Sequence, residues 1–133
     1  MRLLDTNICV YIIRRRPPAV YEQLAHAEAE GVALSVVTAL ELQVGAVRAS
    51  AHRYASQIED FLGAFDVLPL DDTVRPIYAR ERVALERTGQ KIGPMDMLIA
   101  AHALALDATL VTNNMREFSR IPGLKLENWA ESV

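Results

Sequence analysis

The sequence predicts an α/β protein with a mostly parallel sheet of four or five strands and helices on both faces. Three observations lead there. Short apolar runs alternate with longer segments whose apolar residues recur at helical spacing, the signature of strand–helix–strand units. The strand candidates, such as residues 32 to 37 with Ser35 their one polar member, are apolar nearly throughout, as strands covered on both faces are. The length of 133 residues, 51 % of them hydrophobic, suits a single domain over 1–133 with a sizeable core.

Taken in order, Leu3-Leu4 runs straight into Asp5, so a strand over 2 to 5 carries an acid at its carboxyl end. Thr6 and Asn7 open a helix to about Ile13, which Asp5 or Asn7 could cap. Arg14-Arg15-Arg16 against Pro17-Pro18 ends it. Val20, Leu24 and Ala27 mark one face of a helix over 19 to 30, and Gly31 stops it. Residues 32 to 37 form the second strand, and a helix beginning near Thr38 runs to about Ser50. Another helix over 52 to 64 puts Tyr54, Ile58, Phe61 and Leu62 on one face. The third strand spans 65 to 70 and ends in Asp71-Asp72-Thr73, a helix-start cluster. The next helix, 73 to 88, turns Val74, Ile77, Tyr78 and Leu85 inward. An alanine- and leucine-rich helix follows over 95 to 106, then a fourth strand over 109 to 112. A polar loop or short helix fills 113 to 120, and a short fifth strand lies over 124 to 126.

Composition narrows the function. The chain shows no secretory pattern, because the arginine triplet follows the first apolar stretch. No apolar run is long enough to cross a membrane, so a cytoplasmic location is expected. Cys9 stands alone, which excludes an internal disulfide and fits a small buried apolar residue. His26, His52 and His102 have no paired spacing, against a structural zinc site. There is no glycine-rich phosphate loop, and neither Ser35 nor Ser50 sits in a nucleophile elbow. The net charge of −3 is unusual for a nucleic-acid binder. A metal on converging acids would offset it, and 12 of the 14 basic residues are arginine, suited to phosphate.

Three acids follow apolar segments: Asp5, Glu41 and Asp96. Each has a structural reading. Asp5 could be a helix cap. Thr38 and Glu41 fit a capping box, with the glutamate folded back on its own helix. Asp96 sits in a first turn, where an acid favours the helix dipole by about 0.3–1 kcal/mol. The alternative is convergence. In parallel α/β sheets ligands bind beyond the carboxyl ends of the strands. Hard cations such as Mg²⁺ take a few carboxylates there, plus water and phosphate.

The stretches Leu3-Leu4-Asp5-Thr6-Asn7-Ile8, Ser35-Val36-Val37-Thr38-Ala39-Leu40-Glu41 with Gly45, Ile92-Gly93-Pro94-Met95-Asp96 with Ile99 to Ala103, and Leu110 to Phe118 closed by Glu127-Asn128-Trp129 cover nearly the whole chain. In that order they resemble the PIN-domain ribonucleases, specifically the VapC toxins of bacterial toxin–antitoxin pairs. The Ile-Gly-Pro and Thr-Asn-Asn pieces look most like members that cut initiator tRNA in its anticodon region. The resemblance implies a PIN-like three-layer sandwich. It implies that Asp5, Glu41 and Asp96 bind Mg²⁺ or Mn²⁺, in place of the capping-box reading of Glu41. Many family members carry a fourth acid after the fourth strand. Here Asn114 takes that position, with Glu117 three residues on, so both are candidates. Thr6, Asn7, Thr112, Asn113 and Arg116 are candidate supporting or RNA-contacting residues, and Arg14 to Arg16 and Arg120 candidate phosphate contacts.

The implied chemistry is hydrolysis of an RNA phosphodiester by metal-activated water, leaving 5′-phosphate and 3′-hydroxyl ends. The implied partners are a tRNA substrate, a cognate VapB-like antitoxin whose tail covers the active-site groove, and a second copy of the chain, with higher toxin–antitoxin assembly. The apolar face near Val20 to Leu24 and the Tyr54–Phe61 helix could form part of that groove. The alternatives are a non-catalytic PIN-like module that binds RNA or protein and a phosphatase of the haloacid-dehalogenase type. The latter needs a second acid two residues after the first, where this chain has Asn7.

Overall fold

Strand β1 (Arg2–Leu4) lies at the centre of the sheet, and its two buried residues explain why. Leu3 packs against one core and Leu4 against another, because successive strand residues point to opposite faces. The computed structural model describes residues 1–130. β2 (Val32–Ser35), β3 (Asp66–Leu68), β4 (Thr109–Val111) and β5 (Lys125–Glu127) complete a five-stranded sheet in the order β3-β2-β1-β4-β5. All four pairings are parallel, in the register Leu4↔Leu34 and Leu4↔Val111 at the carboxyl end of β1.

Helices cover both faces. α1 (Thr6–Arg14), α2 (Pro18–Ala27) and α4 (His52–Ala64) enclose the core on the Leu4 side, with Ile8, Cys9, Val20, Leu24, Ile58, Phe61 and Trp129. α6 (Pro94–Leu106) and α5 (Val74–Arg87) cover the Leu3 side, with Leu85, Met97, Ile99, Ala100 and Phe118. α3 (Val36–Arg48) contributes Val37 to that core and Leu42 and Ala46 to the other. α7 (Met115–Phe118) is a single turn. The three layers match the sequence expectation, and Cys9 is buried as expected.

Several boundaries differ for physical reasons. The second strand stops at Ser35, not Val37, because the Ser35 hydroxyl accepts from the Val37 backbone N–H and starts α3 there. Cap chemistry overrides the strand preference of two valines. Thr38 therefore lies inside the helix, and the capping box with Glu41 does not form. The helix expected to run to Glu30 ends at Ala27 and tightens into a 3-10 turn, Glu28–Glu30, before Gly31 at φ 93°. β3 is shorter than 65–70 and is an exposed edge, with Asp66 and Val67 turned to solvent. Asp71 accepts from Thr73, and Asp72 pairs with Arg75, so that cluster serves the start of α5.

Candidate active site

The carboxyl ends of β1, β2 and β4 meet at one rim, and Asp5 is its most buried acid, 4 % exposed. One oxygen, Oδ1, accepts from the Ile8 N–H at 2.9 Å and caps α1, so Asp5 rather than Asn7 is the cap. The other, Oδ2, accepts from the Thr112 hydroxyl just past β4. The Thr112 hydroxyl in turn accepts from the Asn114 N–H at 2.9 Å. Burial pushes the Asp5 carboxyl up to about 6, partly opposed by these hydrogen bonds, with Asp96 and Glu41 adding like-charge repulsion.

Glu41 arrives from α3. Starting the helix at Val36 places Glu41 in its second turn, half-buried. Its Oε1 accepts from the Thr6 hydroxyl at 2.5 Å, tying α3 to the start of α1. The buried Thr38 hydroxyl donates to the Leu4 carbonyl at 3.4 Å, a second tie between α3 and β1. Asp96, in the first turn of α6, is half-buried, and its carboxyl lies above the usual range through burial and then the charges of Glu41 and Glu117. The fold thus brings Asp5, Glu41, Asp96 and Glu117 into one electrostatic neighbourhood. Among the described residues no ion pair reaches any of the four. Nor, among the described residues, do three or more His, Cys, Asp or Glu side chains come close enough together to hold a metal ion as they stand.

The supporting candidates divide. Thr6 and Thr112 hold the acids directly. Asn113 donates from Nδ2 to the Tyr11 hydroxyl at 2.6 Å, which fixes the loop after β4 against α1. Asn114 occupies the cap position of α7, but its half-buried side chain makes no capping bond. Asn7 and Arg116 are exposed, and the structure gives neither a side-chain tie to the acids. Two contributors escaped the sequence reading. Tyr11 carries no motif, and its only sequence signal is its place four residues after Asn7. His102 Nδ1 lies 2.8 Å from the Ser35 hydroxyl, joining α6 to the start of α3 and so the helix of Asp96 to that of Glu41. Burial holds the His102 ring below its ordinary value.

Two further surfaces expose apolar side chains. Ile12, Tyr21, Leu24, Phe61 and Phe65 line an open groove between α1, α2 and α4, together with the acids Glu28 and Asp66. Leu40, Val44 and Val47 form an exposed apolar stripe at i, i+4 and i+7 on α3, with Val47 81 % exposed. No helix among the described residues is long and apolar enough to cross a membrane.

A parallel sheet covered on both faces, with acids at the carboxyl ends of its central strands, is the architecture of a doubly wound α/β domain, and the family model described as the PIN domain matches residues 2–124. The ribonuclease VapC2 of Rickettsia felis is 41 % identical over 129 residues, spanning 96 % of each chain. The tRNA(fMet)-specific endonuclease VapC of Shigella flexneri is 37 % identical, spanning 96 % of this chain and 97 % of its own. In three dimensions, VapBC2 from Rickettsia felis bound to a promoter DNA fragment superposes with a TM-score of 0.90 at 39 % identity, covering 96 % of this chain and 98 % of that one. The chain belongs to the PIN-domain family and, within it, to the VapC ribonucleases.

Proposed function

We propose that this chain is the toxin of a toxin–antitoxin pair, a Mg²⁺- or Mn²⁺-dependent endoribonuclease that cuts tRNA, with initiator tRNA as target, in the cytoplasm. The observation that carries the reading is the group of four carboxylates with no cationic partner, two of them raised by burial and mutual repulsion. Like charges held together in a half-buried site need compensation. The donors are oxygen only, which fits a hard divalent cation completed by water and substrate phosphate, and such a site needs no closed protein cage.

Asp5, Glu41 and Asp96 would hold the cation, with Asn114 or Glu117 beside them. A divalent ion held by these residues would supply an activated water and charge compensation for phosphodiester hydrolysis, with 5′-phosphate and 3′-hydroxyl ends as the products. The chain's own residues orient the donors. Thr112 and the Ile8 N–H fix both oxygens of Asp5, Thr6 fixes Glu41, and Tyr11–Asn113 anchors the loop that carries Asn114. Arg116 and Asn7, exposed beside this rim, contact the RNA backbone.

The tRNA assignment follows the Shigella flexneri relative, named for that substrate. The VapBC2 complex supports a cognate VapB-like antitoxin. Its tail is assigned to the groove of Tyr21, Leu24 and Phe61. The Leu40–Val44–Val47 stripe supports a homodimer through α3, the helix that carries Glu41. The test is cleavage of total tRNA by purified protein with Mg²⁺, with EDTA, and by the Asp96→Asn variant, with the cut ends mapped. One cut that both EDTA and the variant abolish is expected. Undiminished cutting by folded Asp96→Asn protein would remove the metal assignment.

A further inference from the structure

At the far end of α1 from the acid rim, Arg14, Arg15 and Arg16 meet Arg53 and Gln57 of α4 around an open recess of about 620 Å³. Four guanidiniums line it, and Ile13 is its only apolar contributor. None of the four forms an ion pair among the described residues, in a chain of net charge −3. Aromatic rings support two of them: the Arg14 guanidinium lies 5.3 Å from the Tyr54 ring centre and that of Arg15 lies 5.7 Å from Tyr21. Stacking restricts a guanidinium while leaving its edge N–H groups free, the arrangement that suits phosphate oxygens. Asp60 lines the adjoining recess with Arg15 and Gln57, and it makes no ion pair with the arginines.

One face of α1 joins the recess to the acids. Asn7, Tyr11 and Arg14 fall at i, i+4 and i+7 and so line up along the helix. Tyr11 is tied to Asn113 at the rim, and Arg14, at the recess, lies about 10 Å along the axis from Asn7. Resting on the nuclease reading above, we propose that this recess is a second RNA subsite, which binds the sugar–phosphate backbone of the tRNA away from the scissile bond. An acidic peptide is the other conceivable occupant. The recess has one aliphatic side chain, Ile13, to receive a peptide's apolar residues, whereas the neighbouring groove carries Tyr21, Leu24 and Phe61. Four guanidinium forks around a single aliphatic side chain favour a polyphosphate chain over a folded or extended polypeptide.

The subsite sets what the enzyme can cut well. A substrate must present a phosphate at the rim and further phosphates along α1 together. A structured RNA does so at lower entropic cost than a short flexible strand.

The test uses two substitutions that spare the fold. Arg15 sits at φ 58°, where glycine is the favoured residue, so Arg15→Gly removes the charge without backbone strain. Arg53→Gln keeps a good helix former on the exposed face of α4. Binding of tRNA is measured across a salt series in the Asp96→Asn background, with and without both substitutions. Arg87→Gln, on α5, serves as the control. The double variant is expected to bind tRNA about ten-fold more weakly at low salt and to flatten the slope of log K against log salt by about 1–2. In the cleaving protein the penalty falls on KM for tRNA. It exceeds the penalty on a short single-stranded RNA spanning only the cut by about ten-fold. An unchanged salt slope, or an equal penalty on both RNAs, overturns the subsite. So does a double variant that keeps its tRNA affinity but loses binding to a synthetic glutamate-rich peptide. Because binding is read without cleavage, failure of the wild-type protein to cut RNA would count against the nuclease reading separately.

Discussion

The two ends of β1 treat acidic residues in opposite ways. At its start, Arg2 holds both Glu30 and Glu127, the latter through Nε at 2.8 Å. The hydrogen bond from Arg2 keeps the Glu127 carboxyl below its usual range. Nearby at the same edge, Lys125 pairs with Asp107 at 3.1 Å. Three residues along, past the other end of the strand, Asp5 has no cation and is pushed up to about 6. Glu41, Asp96 and Glu117 around it are equally without an ion pair among the described residues. One strand therefore separates acids that fasten the sheet from acids held at a cost. The second kind is the mark of a site built for something the chain does not itself contain.

The largest effect should come from the unpaired side. Asp96→Asn is expected to lower RNA cleavage on the order of a thousandfold, measured by single-turnover assay, while circular dichroism stays native. Retained cleavage would erase the distinction between the two ends.

The second expectation concerns pH. A carboxyl raised to about 6 in the folded chain, from an ordinary 3.8, binds its proton more tightly folded than unfolded. Its stabilising contribution is full below about 3.8 and is lost as pH rises through about 6. The difference is roughly 3 kcal/mol for Asp5 alone. In EDTA the protein should thus gain stability between pH 7 and pH 5 in urea titrations. Asp5→Asn should flatten that gain, and Mg²⁺ at pH 7 should recover part of it. A profile in EDTA that Asp5→Asn leaves unaltered would show the site to be better compensated than its geometry indicates.

On the paired side, Arg2→Met should cost about 1 kcal/mol in the same titration, because its partners are partly solvated. Its kcat should stay within about two-fold of wild type, since Arg2 touches none of the rim acids. The smallest effect is expected at Glu117, on the single turn α7. Glu117→Gln should reduce cleavage only several-fold if it acts on Asp96 through charge. A loss equal to that of Asp96→Asn would make Glu117 the fourth donor, in place of Asn114.

What could be read in advance depended on range. Leu3-Leu4-Asp5 is a strand and its cap within one turn of chain, and both were legible. The helical faces of α2 and α4 were legible through Val20, Leu24, Ile58 and Phe61. Glu41 was a candidate whose residue pattern favoured the capping box and which only the family resemblance assigned to the site, because its partner, Thr6, lies 35 residues away and the Ser35 cap of its helix is followed by two strand-favouring valines. The Thr112–Asp5 and Asn113–Tyr11 bonds span 107 and 102 residues, so local pattern carries no trace of them. The exposure of β3 follows from its place at the edge of the sheet, which strand composition does not reveal.

The place of β1 has a further consequence. It is the central strand, yet its second neighbour, β4, is synthesised more than a hundred residues later. Until β4 is made, β1 lacks one flanking strand and Asp5 lacks the hydroxyl of Thr112. Such long-range pairing is slow and comes last. A growing chain on the ribosome therefore carries an incomplete site until β4 has been made and has paired with β1.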